Sequence, residues 1–305
     1  MPLLTVFSAP KPFTDPHVAT IQRNAMQSWL KLGPQVEVFL VGEETGLVEA
    51  ASDYSLIVLA PVERNSSGTP LVRSVFSLAR KASSSPILVF VNADIILMND
   101  LVKAVSTVSR SLSNNNLQEN KSFLMIGQRW DLEIGRLLEF SSGWEQQLKN
   151  EIRVNGQLHA PAGSDYFVFP REAFTEIPEF AIGRAGWDNW MIYQARLNRW
   201  PVIDATPSVM VIHQNHDYSH LPGGIAHYNQ YESQQNQELA GGLSHMYMLL
   251  DATHQLSHGH LHKAPPTRLR VLRSFERWLM PEKNSLRGLR GGMARKFRRI
   301  RRGVD

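Results

Sequence analysis

The stretch Pro86–Asn99, PILVFVNADIILMN, decides how this chain is read. Ile87 to Val91 are an unbroken apolar run. Asn92, Ala93 and Asp94 interrupt it, and the aliphatics Ile95 to Leu97 follow. A run this short and β-branched, bounded by Pro86 and by Asn99-Asp100, predicts a strand buried on both faces. Asp94 is then a carboxylate between two apolar runs, costly to bury unless something pairs with it. The polar triplet either marks the carboxyl end of a central strand, where open α/β sheets place ligands, or caps a turn. The stretch by itself leaves both readings open.

Toward the N-terminus the pattern alternates. Leu3–Phe7 reads as a first strand running into SAPKPF. Val18, Ile21, Ala25, Trp29 and Leu32 recur at helical spacing until Gly33-Pro34 stops them. Val36–Val41 predicts a second strand and Leu56–Leu59 a third, before the polar loop VERNSSGTP. Thr69 followed by Pro70 predicts a helix N-cap with proline in the first turn, and Leu71, Val75 and Ala79 mark that helix's apolar face. Downstream, Leu101, Val105, Val108 and Leu112 give another helix. Strands alternating with helices predict an α/β fold, a mostly parallel central sheet with helices on both faces. The loops after strands one, three and four then share one carboxyl edge.

The second half is less regular. Phe123–Ile126 and Tyr166–Phe169 predict strands, the latter stopped by Pro170, and residues 131–160 are expected to cover one edge. GRAGWDNWMIYQARLNRW opens on glycines and continues as a helix. Val209–Ile212 predicts a last strand, running into HQNHDYSH, and a helix is expected near Ser244–Leu256. Pro265-Pro266 marks a boundary, dividing a domain over 1–262 from a tail over 263–305. In that tail LRVLRSFERWLM predicts a basic amphipathic helix with Leu269, Leu272, Phe275, Trp278 and Leu279 on its apolar face. The remaining RGLRGGMARKFRRIRRG is expected to be disordered when free.

Composition bounds the chemistry. The 305 residues are 43% hydrophobic and contain no cysteine, which excludes disulfides and thiolate metal sites. No apolar run approaches membrane-spanning length, and the N-terminus does not read as a signal peptide. These features fit a cytoplasmic protein. The net charge of +4 hides an asymmetry: residues 268–305 hold 13 Lys/Arg against 3 Asp/Glu, or +10, so residues 1–267 carry about −6. Such a tail suits an anionic surface. Its apolar face favours a membrane, reached peripherally from the inner side through 268–302, over nucleic acid.

Five polar clusters end strands or begin helices: SAPKPF, ERNSSGTP, NAD, HQNHDYSH and GWDNW. No Gly-rich phosphate loop follows the first strand, and no G-x-S-x-G or H-E-x-x-H is present. Asp94 and His213, each just after or within a strand end, make the best metal pair. A hard divalent cation with oxygen ligands, an imidazole and substrate phosphates matches Mg²⁺ or Mn²⁺. His216, Asp217 and His220 lie close enough to compete, and His216, Asp217 and Trp187 are also candidates to bind an acceptor. Asp188, at a helix start, is either an N-cap or a general base for an acceptor hydroxyl. Trp187 and Trp190 beside it are either sugar-stacking surfaces or core. Pro10, Lys11, Arg64, Asn65 and Arg73 are candidates to meet a nucleotide, against a plain surface reading. Arg129, Asp165 and Asn189 are candidates to bind an acceptor, against caps and salt bridges.

Together these motifs resemble the GT-A fold of nucleotide-sugar glycosyltransferases, over roughly residues 3–220. The family's D-x-D stands here as Asn92-Ala93-Asp94, with Asn92 in place of the first Asp. Its acceptor-side acidic motif stands as Trp187-Asp188-Asn189, and its late metal-binding His maps to His213. GWDNWMIYQA and HQNHDYSH look like a separate bacterial branch of GT-A-like proteins. The resemblance implies a three-layer α/β/α sandwich, a Mn²⁺ or Mg²⁺ cofactor, and a nucleotide-sugar donor contacting Asn92, Ala93 and Asp94. It further implies sugar transfer to the hydroxyl of a glycan, lipid or protein, inverting if Asp188 is the base. Two other readings remain: a sugar-phosphate nucleotidyltransferase, which SAPKPF disfavours, and a non-catalytic sugar-nucleotide-binding or interaction protein, which Asn92 favours.

Overall fold

The computed structural model describes residues 1–114, 122–162, 164–216, 230–280 and 289–303. Its elements run β1 (Leu4–Ser8), α1 (Pro16–Leu30), β2 (Val36–Val41), α2 (Leu47–Ser52), β3 (Ile57–Leu59), α3 (Val72–Ala82), β4 (Ile87–Val91), β5 (Ile95–Ile96) and α4 (Asn99–Asn114). They continue through β6 (Leu124–Ile126), β7 (Arg129–Leu132), α5 (Trp144–Asn155), β8 (Gln157–Leu158), β9 (Tyr166–Pro170), α6 (Trp187–Leu197), β10 (Val202–Asp204) and β11 (Val211–Gln214). The last are α7 (Tyr231–Leu239), β12 (His254–Ser257), β13 (His260–Lys263), α8 (Arg268–Leu279) and α9 (Leu289–Arg302).

The continuous apolar runs form strands because their alternate side chains feed two separate cores. Leu4, Val6, Val38, Leu40, Val89 and Val91 pack with Trp29 of α1 and Leu101 and Val105 of α4. Phe7, Phe39, Val41, Leu88 and Phe90 point the other way, onto Phe76 of α3 and Trp190 and Met191 of α6. The chain is therefore an α/β protein with helices on both faces of one large sheet, as its alternating pattern implied. The strand order is β13-β12-β10-β6-β9-β4-β1-β2-β3. Pairing is parallel except on both sides of β9 and between β12 and β13.

Two features of this order make a site. The chain winds outward through β1, β2 and β3, then returns to place β4 on the other side of β1. Between the carboxyl ends of β1 and β4 it opens a crevice of the kind in which α/β sheets bind ligands. Because β9 runs antiparallel to β4, with Val91 opposite Tyr166, the residue before β9, Asp165, lands beside the mouth of β4.

The opening stretch is not one strand. At Asn92–Asp94 the chain leaves the large sheet, and Ile95–Ile96 joins a second sheet of order β5-β11-β7-β8. Ile96, Leu132 and Ile212 of that sheet pack under Trp144, Leu148 and Ile152 of α5. This small sheet, which the sequence pattern did not predict, carries β7 and β11 to the crevice. It also moves the last expected strand, Val209–Ile212, to Val211–Gln214.

Three other expectations change. Thr69 caps no helix: Pro70 and Leu71 are extended, bridging to Arg64 and Ala181, and α3 begins at Val72. The helix expected near Ser244–Leu256 is two short 3₁₀ turns followed by β12, because Gly241 and Gly242, both at positive φ, reverse the chain just before it. Finally, the end of the tail is ordered as α9 over Leu289–Arg302.

An ion network explains that order. Arg273 of α8, 2% exposed, pairs with Asp251 (2.9 Å) and Glu276 (3.1 Å). Glu276 also accepts from Arg298 (2.8 Å) and Arg301 (3.1 Å) of α9. Glu276→Gln would remove the carboxylate that, among the described residues, these three arginines share. Breaking one side of a buried ion pair costs about 3–5 kcal/mol, so thermal unfolding should begin several degrees lower and α9 should become protease-sensitive. An unchanged melting curve would mean that the network does not anchor the tail.

Candidate active site

The crevice between β1 and β4 is a cleft of about 430 Å³. Pro10 and Lys11 reach it from the loop after β1, and Asn92, Ala93 and Asp94 from the turn after β4. Arg64, Gly68, Thr69 and Pro70 line it from the loop after β3, and Gly183 and Arg184 from the segment before α6. Arg129 of β7, Asp165, His213 of β11 and His216 complete the wall.

Three of these residues converge. Candidate ligand atoms of Asp94, His213 and His216 lie within 4.8 Å of one another. His216 Nε2 is 3.1 Å from Asp94 Oδ2, and His213 Nε2 is 3.8 Å from the same oxygen. Register explains the meeting: His213 sits opposite Ile95, the residue after Asp94, in the antiparallel β5–β11 pair. Burial alone would push the Asp94 carboxyl up. The His213 charge, a hydrogen bond from His216 and the nearby Lys11 outweigh it, so Asp94 is held well below the usual carboxylate range. Its Oδ1 is nonetheless buried with no hydrogen-bond partner among the described residues. A carboxylate oxygen left unmatched beside two imidazoles suits a divalent cation.

A second carboxylate holds this group in place. Asp131 of β7 sits opposite His213 in the parallel β7–β11 pair. Its Oδ1 lies 3.1 Å from His213 Nδ1, and its Oδ2 2.7 Å from His159 Nδ1. Arg129 donates from Nε to Asp131 (2.8 Å) and from Nη1 to Asp165 Oδ1 (2.8 Å), and Asn92 Nδ2 donates to that same Asp165 oxygen (2.8 Å). The His213 Nδ1–Asp131 approach is close but not aligned as a hydrogen bond, so Asp131 acts on the ring by its charge and proximity, with Nε2 the nitrogen nearer Asp94. Burial would lower the His213 pKa, but Asp131 and Asp94 raise it above its ordinary value. Asp131 and His159 were not singled out from sequence. The only available signal was an acidic residue between Trp130 and Leu132.

Lys11 has a different character. Arg64 is neutralised by Glu44 (2.9 Å), and Arg184 by Glu232 (2.7 Å). The Lys11 ammonium has no ion-pair partner among the described residues. Burial lowers its pKa, while Asp94 partly restores it. A cation held in a cleft near the Asp94 charge, but with no direct ion pair among the described residues, is poised for an anionic ligand.

Other candidates stand apart from the cleft. Asp188, at the start of α6, is not part of the lining. Gly186, at φ +114°, makes the turn that brings its N–H to Asp188 Oδ1 (3.2 Å). Burial pushes the Asp188 carboxyl up to about 6, the N–H groups of Asn189 and Gly186 pull it back, and the Asp165 charge adds to the rise. Trp187 is core rather than a stacking platform, edge-on to Phe76 and Phe90 and packed against Phe167. Asn189 donates to the carbonyl of Tyr247 (2.6 Å). Asn65 ties its own loop, accepting from Ser67 and Thr69 and donating to Glu232. Arg73 lies outside the cleft, paired with Glu63 and Glu179. Asp217 and His220 lie outside the described residues.

No protein-family model and no curated protein matches the chain. Among solved structures it is similar to glucosyl-3-phosphoglycerate synthase from Mycobacterium tuberculosis, solved with Mn²⁺, uridine diphosphate and glucosyl-3-phosphoglycerate. The identity is 17% and the TM-score 0.45, over 87% of each chain. It is also similar to the mannosyltransferase PcManGT from Pyrobaculum calidifontis, solved with GDP-Man and Mn²⁺, at 13% identity and TM-score 0.44 over 78% of this chain and 63% of that one. A third is S. aureus TarS with UDP-GlcNAc, at 13% identity and TM-score 0.46 over 79% of this chain and 66% of that one. At such scores the functional reading rests on the cleft of this chain itself.

Proposed function

We propose that this chain is a GT-A-type glycosyltransferase that moves a sugar from a nucleoside-diphosphate donor to an acceptor hydroxyl. One observation carries the reading: at the switch point of the sheet, an Asp94 oxygen without a hydrogen-bond partner among the described residues, two imidazoles and a Lys11 ammonium that makes no direct ion pair there face one cleft. That is a corner suited to a diphosphate and a divalent cation together. Asp94, His213 and His216 would hold the metal. A set with two nitrogens suits Mn²⁺ better than Mg²⁺, which prefers oxygen ligands and retained water. When bound, the metal would offset charge on the departing diphosphate.

The remaining work falls to side chains. Lys11 meets a phosphate oxygen, and the Arg129–Asp165–Asn92 chain keeps the triplet turn rigid. Asp188 takes the proton of the acceptor hydroxyl. The acceptor oxygen then bonds to the anomeric carbon as the bond to the phosphate oxygen breaks, its electron pair leaving with the nucleoside diphosphate, and the carbon inverts. For this the acceptor enters beside Gly183 and Asp165, toward α6. The acceptor class stays open among glycan, lipid and protein hydroxyls.

Thermal unfolding with UDP- and GDP-sugars, each with and without Mn²⁺, tests the donor. Ligand at about 100 times Kd adds about 2.7 kcal/mol, or roughly 4 °C for a chain this size. One nucleotide class should give that shift only with metal, and should release nucleoside diphosphate on turnover. Flat melting curves with every sugar nucleotide would sink the assignment.

A further inference from the structure

The two C-terminal helices are inside out. An ordinary surface helix turns its apolar stripe inward. Here α8 buries Arg273 and Glu276 beside Leu279 and leaves Phe275 48% exposed and Trp278 70% exposed. Val271, exposed as well, lies on the same stripe, at i, i+4 and i+7 spacing. On α9 the buried positions are Gly291, Ala294 and Arg301, while Leu289, Met293 and Ile300 are exposed. Phe275 stacks on Phe297 at 5.5 Å, which joins the two stripes.

The polar inward face is fully accounted for by the Asp251–Arg273–Glu276–Arg298–Arg301 network. Beyond the Phe275–Phe297 stack, the outward face therefore has apolar area with no partner among the described residues, and cations beside it. Lys296, Arg299 and Arg302 are exposed and have no ion-pair partner among the described residues.

We propose that this outward face of α8 and α9 docks on an anionic lipid surface. Aromatic and aliphatic side chains enter the headgroup boundary, and the neighbouring cations meet lipid phosphates. Charge decides against the other occupants. A second copy would oppose one +10 tail to another. Nucleic acid would engage the cations but leave Val271, Leu289, Met293 and Ile300 wet. The surface stands independently of the transferase reading. It is nevertheless one layer from α6: Arg277 of α8 lies over the Tyr247 ring at 4.1 Å, and the Tyr247 carbonyl accepts from Asn189.

The test is co-sedimentation of the full chain with phosphatidylcholine vesicles, with and without phosphatidylglycerol, at low and high salt. Binding is expected only to the anionic vesicles and should weaken with salt. Each cation removed should cost about fivefold, so the triple variant Lys296→Gln, Arg299→Gln, Arg302→Gln should bind about a hundredfold more weakly. Phe275→Ser with Trp278→Ser should lose at least about tenfold. Both variants change exposed side chains outside the ion network, and their melting curves should match the parent. Quenching of the unmodified protein's tryptophan fluorescence by brominated lipid gives a readout that needs no variant. Equal binding to both vesicle types, unquenched fluorescence, or full binding by the Phe275/Trp278 variant would overturn the proposal. So would tighter binding to duplex DNA than to anionic vesicles.

Discussion

Asp94→Ala is expected to lower kcat/KM about a thousandfold and to abolish the stabilisation that Mn²⁺ confers, while leaving the protein folded. The magnitude follows from losing charge stabilisation at a developing leaving group in a partly dry cleft. Asp94 is the one carboxylate among the three converging groups, so its loss leaves two neutral imidazoles and no anionic ligand for a divalent ion. Asp94→Asn is the more informative variant, because it keeps the side-chain volume and removes only the charge. Calorimetric titration with Mn²⁺ should show at least tenfold weaker binding for either variant, independent of any assay of turnover. Affinity for the metal should also fall as pH drops, since His213 and His216 bind it only when neutral and the pKa of His213 is raised. If Asp94→Ala retains full activity, the diphosphate corner has been misplaced. If it loses activity but binds Mn²⁺ as the parent does, Asp94 acts on the donor without the metal.

Asp188→Asn is expected to reduce kcat by about 10²–10⁴ with donor affinity unchanged, the usual range for a lost general base. To act as a base, the Asp188 carboxyl must be ionised. With its carboxyl pushed up to about 6, kcat should be half-maximal near that pH and fall about tenfold per unit below it. Stability should move the opposite way. A carboxyl whose folded pKa lies above its unfolded value binds its proton more readily in the native state. Between about 4 and 6, folding therefore loses stability as pH rises, and the deficit is complete above 6. A shift of about two units is an upper bound of about 3 kcal/mol. Asp188→Asn should accordingly melt higher than the parent at pH 8 and equally at pH 4. Were Asp188 only the hydrogen-bond partner of Gly186, the variant would keep both the kcat and the pH profile of the unmodified protein.

Parts of this arrangement were legible before any coordinates. A parallel strand buried on both faces must be apolar along its whole length, so Leu3–Phe7, Val36–Val41 and Ile87–Val91 announced themselves, and α/β alternation followed. Polar residues at the ends of such runs are conspicuous for the same reason, which is why Asp94, Lys11 and His213 stand out in the sequence and why the structure can be seen to bring them to one cleft. Asp131 was not, because a single acidic residue in a short strand looks like solvent-facing alternation until its register with His213 is known. In the sequence Arg73 is a candidate for a nucleotide by its charge and Trp187 for a sugar by its flat ring, each against a plain surface or core reading. Packing sends Trp187 into the aromatic core and Arg73 to Glu63 and Glu179.

The sequence by itself determined the layered α/β class, the carboxyl-edge position of the Asn92-Ala93-Asp94 turn and the charge imbalance of the tail. Each depends on local pattern: strand-length apolar runs, their polar ends, and a count of arginines. Only the tertiary structure decided that this turn leaves one sheet for another, that His216 joins Asp94 and His213, and that α8 and α9 turn their apolar faces outward. Those outcomes depend on pairings such as Ile95 with His213, and Glu276 with Arg301. Partners far apart in the chain, or paired across different elements, leave no periodicity in the sequence from which the pairing can be read.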